Sequence, residues 1–233
     1  MYYDLHIHSC LSPCAENEMT PNNICNMALI KGLELIAVTD HNSVRQIPAF
    51  ARAARETGIK ALYGCELQTA EEVHVLGLFA DPDDALSMQP WIDERMPDVP
   101  NRKDFFGDQL ICDGADRVTD EETRLLLVSL GASLEETVDR IHEEGGRAVL
   151  AHVLDRENSV TNQLGFIPMD LPYDGLEIKS PDEKHRVLDT HPWIKEDSTV
   201  WFIDSDAHRL VEISERKNEM SADTFRRLWG DAL

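Results

Sequence analysis

The chain is poor in basic residues: 22 Lys and Arg stand against 44 Asp and Glu, giving a formal net charge of −22. Proteins hold duplex nucleic acid largely by neutralising phosphates with Lys and Arg, so this balance disfavours a duplex partner or a long polynucleotide substrate. An acidic surface also keeps a protein soluble, and bound divalent cations would reduce its charge. Cysteine is scarce as well. Cys10, Cys14, Cys25, Cys65 and Cys112 make an odd number with no Cys-x-x-Cys among them, which argues against a disulfide framework or a four-cysteine zinc site. No apolar run has the length of a membrane span. Met1 leads straight into a strand-like segment without a basic and apolar leader, so the expected location is the cytoplasm, with no membrane partner. Internal repeats and low-complexity tracts are missing. So are a Gly-x-Ser-x-Gly elbow, a Gly-rich phosphate loop and a P-loop lysine, leaving no protein nucleophile or phosphate cradle of those kinds.

The pattern that is present alternates strand and helix over 233 residues, a length that suits one large α/β domain. Tyr2 to Ile7 reads as a strand. Thr20-Pro21 opens a helix that runs to about Lys31 and stops at Gly32. Leu35 to Thr39 is a short apolar run suited to a strand buried on both faces. Ser43 is expected to cap a helix reaching about Thr57, closed by Gly58. Ile59 to Glu66 is a third strand, and Val73 to Ala80 follows after only six residues. That gap is too short for a crossover helix, so these two strands should pair antiparallel. From about Asp81 to Leu130 four prolines and many charges break the rhythm. This stretch reads as an insertion packed over one end of the domain, with one helix near Asp120 to Leu130. Ser133 and Glu136 then form a capping box for a helix to Glu144, stopped by Gly145-Gly146. Strands follow at Arg147 to Ala151, Gly175 to Lys179 and Thr199 to Asp204, and a final helix starts at Ser221. Repeated β-α units imply a mainly parallel sheet; periodicity does not separate a closed barrel from an open sheet.

Six of the nine histidines gather at one rim of this frame. His6 and His8 end the first strand, Asp40 and His41 the second, and Glu66 the third. His152 follows its strand, Glu177 lies in the next, and Asp206 and His208 follow the last. His74 opens the return arm of the hairpin, which puts it beside Glu66. The C-terminal ends of the strands are where α/β proteins build active sites. His-x-His on an extended strand turns two imidazoles to one face, and imidazoles with carboxylates suit zinc, iron or manganese. Singly, each residue has an ordinary reading: Asp40 as a helix cap, Glu177 as a solvated strand residue. Six histidines at one rim have no such shared purpose. His142, His185 and His191 fall in helical or loop contexts and read as plain surface residues. With no other nucleophile in sight, water deprotonated by bound metal is the natural attacking group.

The residues Asp4-Leu5-His6-Ile7-His8-Ser9, Thr39-Asp40-His41-Asn42, Gly64-Cys65-Glu66, Val73-His74-Val75-Leu76-Gly77, Ala151-His152 and Ser205-Asp206-Ala207-His208 occur in an order that resembles the PHP (polymerase and histidinol phosphatase) family. The resemblance implies a single domain over residues 1–233: a distorted β/α barrel, usually of seven strands, carrying an insertion at about 81–130 and up to three divalent metals. It implies that His6, His8, Glu66 and Asp206 hold the first metal, that Glu66 bridges to a second held with His74 and His152, and that His41 and His208 serve a third. Asp40 belongs to the implied catalytic set as a support that orients a neighbour. Where the family has an Asp after its first motif, this chain reads Ser12-Pro13-Cys14-Ala15-Glu16-Asn17. Counting back from Thr20 selects Glu16 as the third-site ligand, with Cys14 as the rival. The usual Ala-His-Pro is Ala151-His152-Val153 here.

The implied activity is a metal-dependent phosphoesterase that hydrolyses phosphate monoesters of a small metabolite or nucleotide, short oligonucleotides included, through metal-activated hydroxide. Arg102 and Lys103 are candidates to reach a substrate phosphate, although a solvated loop is their commoner role. Two alternatives remain. One is an amidohydrolase-like enzyme, for which Lys179 is the only tempting bridging carbamate; the other is a metal-bearing regulatory domain without catalysis. Substrate, metal identity and oligomeric state are left open by the sequence.

Overall fold

The computed structural model describes residues 1–232. Its elements in chain order are β1 (Tyr3–Ile7), α1 (Pro21–Ile30), β2 (Leu35–His41), α2 (Ile47–Thr57), β3 (Lys60–Gln68) and β4 (His74–Phe79). Next come α3 (Pro82–Leu86), α4 (Met88–Arg95), α5 (Lys103–Phe106), β5 (Leu110–Cys112) and β6 (Val118–Glu121). The rest is α6 (Leu134–Glu143), β7 (Arg147–Leu150), α7 (Val160–Leu164), β8 (Gly175–Glu177), α8 (Pro181–Thr190), β9 (Val200–Phe202), a 3-10 turn (Leu210–Glu212) and α9 (Ala222–Trp229). No described helix is long and apolar enough to cross a membrane.

Seven strands form one strongly curled sheet, a half-barrel, in the order β1-β2-β3-β4-β7-β8-β9. All neighbours run parallel except β4, which is antiparallel to both β3 and β7. The short link after β3 forces this reversal, as its length predicts. The curl brings the two edges together at one end. Ile7 and Ala207 form a parallel bridge. The His8 amide donates to the Ala207 carbonyl at 2.9 Å, and the Ala207 amide donates to the His6 carbonyl at 3.2 Å.

Inside the curl, Leu5, Leu35, Ala37, Leu62, Leu76, Leu78 and Val149 pack together, and α9 plugs the far end with Phe225, Leu228 and Trp229. Outside, Ile7, Ile36 and Val38 pack with Ile24, Ala28 and Phe50 of α1 and α2. Leu5 thus lies in the inner cluster and Ile7, two residues on, in the outer one. A regular strand would keep both on one face. The register shift between Asp4 and Ile7 turns β1 over, as a bulge does when it re-aims a side chain. It lets an apolar Leu5 fill the interior while His6 and His8, farther along, face the site.

Several expectations need correction. Ser43 does not cap α2. Residues 42–46 form a turn, with Asn42 left-handed at φ 44° and the Val44 amide held by Gln89 Oε1 at 2.9 Å, so the helix starts at Ile47. The helix expected near Asp120 to Leu130 is absent: Asp120 and Glu121 lie in the β5–β6 hairpin. Beyond them the backbone bonds elsewhere, with the Leu125 amide to Val99 and the Leu130 amide to Gln68 and the Leu126 amide to Gln109 Oε1. Tertiary hydrogen bonds take the donors that a helix would have used. α8, which the alternation did not mark, nevertheless starts on a familiar signal, a Ser180 cap followed by Pro181.

Candidate metal centre

The strand ends deliver the site. His41 of β2 lies in register with Glu66 of β3. His74 opens β4 opposite Gln68, and its carbonyl accepts the Ala151 amide at 3.1 Å, so His152 arrives alongside. The Ala207 bridge sets Asp206 and His208 against His6 and His8. His6, His8, His41, Glu66, His74 and His152 are all buried. Two of the clustered residues adopt left-handed backbone, His152 at φ 30° and Asp206 at φ 56°. Such conformations cost non-glycine residues on the order of 1–3 kcal/mol and persist where the surroundings over-determine them.

Glu66 is the hub. Its Oε1 lies 2.8 Å from His74 Nδ1, 3.2 Å from His152 Nε2 and 3.3 Å from His6 Nε2. Its Oε2 lies 2.9 Å from His41 Nδ1 and 3.5 Å from His8 Nε2. Asp206 Oδ1 faces His6 Nε2 at 3.4 Å and His8 Nε2 at 3.3 Å. Three overlapping groups have donor atoms close enough to share an ion: His6, His8 and Asp206; His41, Glu66 and His74; and His8, His41 and His208.

The hydrogen bonds around this cluster fix how the donors are presented. His6 Nδ1 donates to Glu177 Oε2 at 3.0 Å. Ser12 Oγ donates to Asp40 Oδ1 at 2.7 Å, which leaves its oxygen to accept from His8 Nδ1 at 3.0 Å. Both imidazoles therefore turn Nε2 inward, and these two nitrogens face each other at 3.2 Å among the carboxylates of Glu66 and Asp206. Two carboxylates and two ring nitrogens crowded at one point need a cation among them, a proton on His6 in the metal-free protein or a metal ion in its place. His152 Nδ1 is also buried without a hydrogen-bond partner. The donor set fits a multi-metal site on these grounds.

The ionisation equilibria of the metal-free site follow the same charges. Burial alone would drive His6 toward neutrality, but the carboxylates of Glu177, Asp206 and Glu66 outweigh it and push its pKa well above the ordinary value. Burial likewise works against the Glu66 anion, yet His74, His6 and His41 hold its pKa well below the usual carboxylate range. Asp206 is depressed too, by His6 and His8 against the cost of burial. His8 goes the other way, lowered by burial and by its neighbours His41 and His208. The two carboxylates and His8 are thus in the forms that bind metal, whereas His6 is a cation in the metal-free protein and would give up its Nε2 proton to a metal.

Asp40 stands behind the cluster. It accepts from the Ser9 amide, the Ser9 hydroxyl and the Ser12 hydroxyl, so it orients Ser12 and, through it, His8. Glu177, which the sequence places at the rim without a role, also accepts the His152 amide at 2.9 Å. Asn158 went unnoticed in the sequence; its side-chain amide lies 2.6 Å from His74 Nε2. Asp40 and Glu177 are strand residues, whereas Ser9, Ser12 and Asn158 come from the loops after the strands, where no local spacing signals them.

Not every candidate reaches the site. Glu16 is exposed and pairs with Arg209 at 3.3 Å. Cys14 is exposed too, but lies near enough to His41 and His208 for their charges to bring its thiol pKa down to about 6, against desolvation by the surrounding protein. Lys103 pairs with Glu121 at 2.5 Å, and Arg102 stacks over Phe105; neither lines the cavity at the metal cluster. Of the three histidines expected at the surface, His185 is exposed and His142 is half-buried against Asp174. His191 is buried, with Nε2 accepting the Ile167 amide; its surface reading is corrected by the packing of α8 on the preceding loop.

The model of the PHP domain matches residues 4–159, more than half of the chain, and the chain belongs to that family. A 5′-3′ exoribonuclease of Haemophilus influenzae is 25% identical over 252 residues, covering 88% of this chain and 89% of the relative. A 3′,5′-nucleoside bisphosphate phosphatase of Chromobacterium violaceum is 34% identical over 82 residues, 34% of this chain and 28% of the relative. A solved structure from Bifidobacterium adolescentis, provisionally assigned as a metal-dependent phosphoesterase, superposes with a TM-score of 0.62 at 19% identity, covering 97% of this chain and 94% of the other. Fold, donor set and family together define a metal-dependent phosphoesterase of the PHP type.

Proposed function

We propose that the protein hydrolyses phosphate monoesters of a small metabolite or nucleotide, short oligonucleotides included. The carrying observation is the convergence of five histidines on the two oxygens of Glu66. In this reading His6, His8, Glu66 and Asp206 hold one divalent cation, and Glu66, His74 and His152 a second. His41 and His208, with Cys14 beside them in place of Glu16, serve a third. Manganese, iron and zinc all suit such ligands. Bound there, the cations lower the pKa of water at neutral pH and neutralise charge on the phosphoryl oxygens. The chain's own residues do the positioning. Glu177 and Ser12 hold His6 and His8 with Nε2 inward, Asp40 fixes Ser12, and Asn158 fixes His74. Water adds to phosphorus, the ester P–O bond breaks, and the alcohol and inorganic phosphate leave. The names of two relatives, a nucleotide phosphatase and an exoribonuclease, favour nucleotide phosphoesters.

The test is elemental analysis of protein from metal-supplemented cells, followed by a phosphate-release panel of nucleoside monophosphates, 3′,5′-bisphosphates, histidinol phosphate and short oligonucleotides. Two or three metals per chain, with release abolished in His8→Ala, are expected. Metal without release from any ester would turn the reading toward amide or lactone substrates or toward a regulatory role, and no metal after reconstitution would overturn it.

A further inference from the structure

Phosphate esters are anions, and the metal cluster is ringed by acids. A cavity of about 230 Å³ opens at the cluster, and Glu66, Asp206 and Glu157 are among the residues that line it. In a chain with twice as many acidic as basic residues, any cation directed here stands out.

Two cations reach Asp206 at the cavity's edge from different elements. Arg156, on the loop after β7, lines the cavity and places Nη1 2.5 Å from Asp206 Oδ2. Lys179, two residues past β8, brings Nζ to 3.8 Å from the same oxygen and 3.6 Å from Glu177 Oε1. That ammonium is buried and has no hydrogen-bond partner. An ammonium carries three donors, and leaving them unmet away from water is costly. Asp206 thus divides its oxygens, with Oδ1 toward His6 and His8 and Oδ2 toward the two cations.

The loop that presents Arg156 is held in place. Asp155 and Asn158 take left-handed backbone, at φ 58° and 34°. Asp155 is paired with Arg186, and the Asn158 carbonyl accepts the His74 amide at 2.9 Å. A guanidinium fork matches two phosphoryl oxygens, while an ammonium acts as a point charge. A fixed loop reduces the ordering cost of using them.

We propose that Arg156 and Lys179 are the substrate-binding cations of this cavity, holding the phosphoryl oxygens of the ester beside Asp206. The inference rests on the phosphoesterase reading. It gives the phosphate-binding role to this pair and not to Arg102 and Lys103. The competing role is structural, in which both cations merely neutralise Asp206 and hold it in place.

The test uses metal-loaded full-length protein, with Arg156→Met, Lys179→Met, the double variant and Arg156→Lys. Inorganic phosphate binding is followed by calorimetry, ester hydrolysis by KM and kcat, and bound metal by elemental analysis. Each single methionine variant should keep its metal and weaken phosphate binding about tenfold, the effect of losing one charge-assisted contact. The double variant should lose about a hundredfold, and KM should rise more than kcat falls. Arg156→Lys should fall between wild type and Arg156→Met, and it keeps the test alive should a methionine variant misfold. Variants that bind phosphate as wild type does, or that lose metal in step with phosphate binding, would overturn the proposal while the phosphoesterase reading stood. Wild-type protein that neither binds phosphate nor cleaves an ester would instead overturn that reading, and this one with it.

Discussion

Glu177 Oε2 accepts hydrogen bonds from His6 Nδ1 at 3.0 Å and from the His152 amide at 2.9 Å, so one buried carboxylate sets two residues of the metal cluster. Its anion is stabilised in return. Burial works against it, but His6 above all, then Lys179 and His152, bring its pKa down to about 2. Partners of this kind hold a ligating imidazole in the right tautomer, and losing one typically costs 10–100-fold in metal affinity. Glu177→Gln should therefore weaken metal binding by about that factor with the fold intact, measured by competition against a chelator. Unchanged affinity would show that His6 needs no such support.

The same depressed pKa has a consequence for stability against acid. A carboxyl with a folded pKa below its unfolded value stabilises the fold above the unfolded pKa and loses that contribution as pH falls through the folded one. For Glu177 the window runs from its ordinary value of 4.5 down to about 2. Metal-free wild type should lose stability across that range, and Glu177→Gln should lose less over the same interval. Denaturant titrations at successive pH values check this; parallel curves for the two proteins would contradict it.

Metal removal should also be visible in heat stability. A ligand that binds only the folded state at a hundred times its Kd adds about 2.7 kcal/mol. For a domain of this length that corresponds to a Tm shift on the order of 5–10 °C. Manganese, iron or zinc should raise Tm by about that amount, a chelator should reverse it, and His8→Ala should respond weakly. A wild-type Tm indifferent to all three metals would count against the site.

Much of this centre was legible because strand polarity is legible. Once His41, Glu66 and His152 are placed at ends of neighbouring strands, parallel β-α units bring them to one rim, and the short link after β3 adds His74 by reversing β4. The hydrogen bonds of Ser12, Glu177 and Asn158 were not legible. They depend on the bulge in β1 and on left-handed residues such as His152 and Asn158, which leave no periodic trace. The segment 120–130 failed for a related reason: Leu125, Leu126 and Leu130 are buried at helix-like spacings, but the backbone between them bonds to distant residues. Glu16 and Cys14 were a matter of counting along a loop, and the loop turns Glu16 to Arg209.

Gly64 shows what the glycine of the Gly64-Cys65-Glu66 run is for. A Cβ at this position would meet the Gly77 carbonyl oxygen at 2.2 Å, well inside contact. The bare Cα of Gly64 lets β4 lie close against β3, and that pairing sets His74 beside Glu66. Gly64→Ala must push the strands apart, and overpacking of this sort costs about 1–3 kcal/mol. Reduced stability in denaturant melts, together with weaker metal binding, is the expected outcome; a variant as stable as wild type would mean that the strands have slack.

Cys14 offers a direct probe of the third position. The thiol is exposed, and its pKa near 6 arises because His41 and His208 outweigh desolvation by the surrounding protein. Only the thiolate reacts with an alkylating agent, so in metal-free protein iodoacetamide should modify Cys14 with a rate midpoint near pH 6. Cys10, Cys25, Cys65 and Cys112 are buried, and all four have pKa values raised chiefly by burial, so they should lag far behind in the native state. Peptide mass spectrometry resolves the five. Zinc or manganese should then protect Cys14 if an ion sits between it and the two histidines, and leave its rate unchanged if only the other two positions fill. A midpoint near the ordinary thiol value would mean that Cys14 does not face the histidines at all.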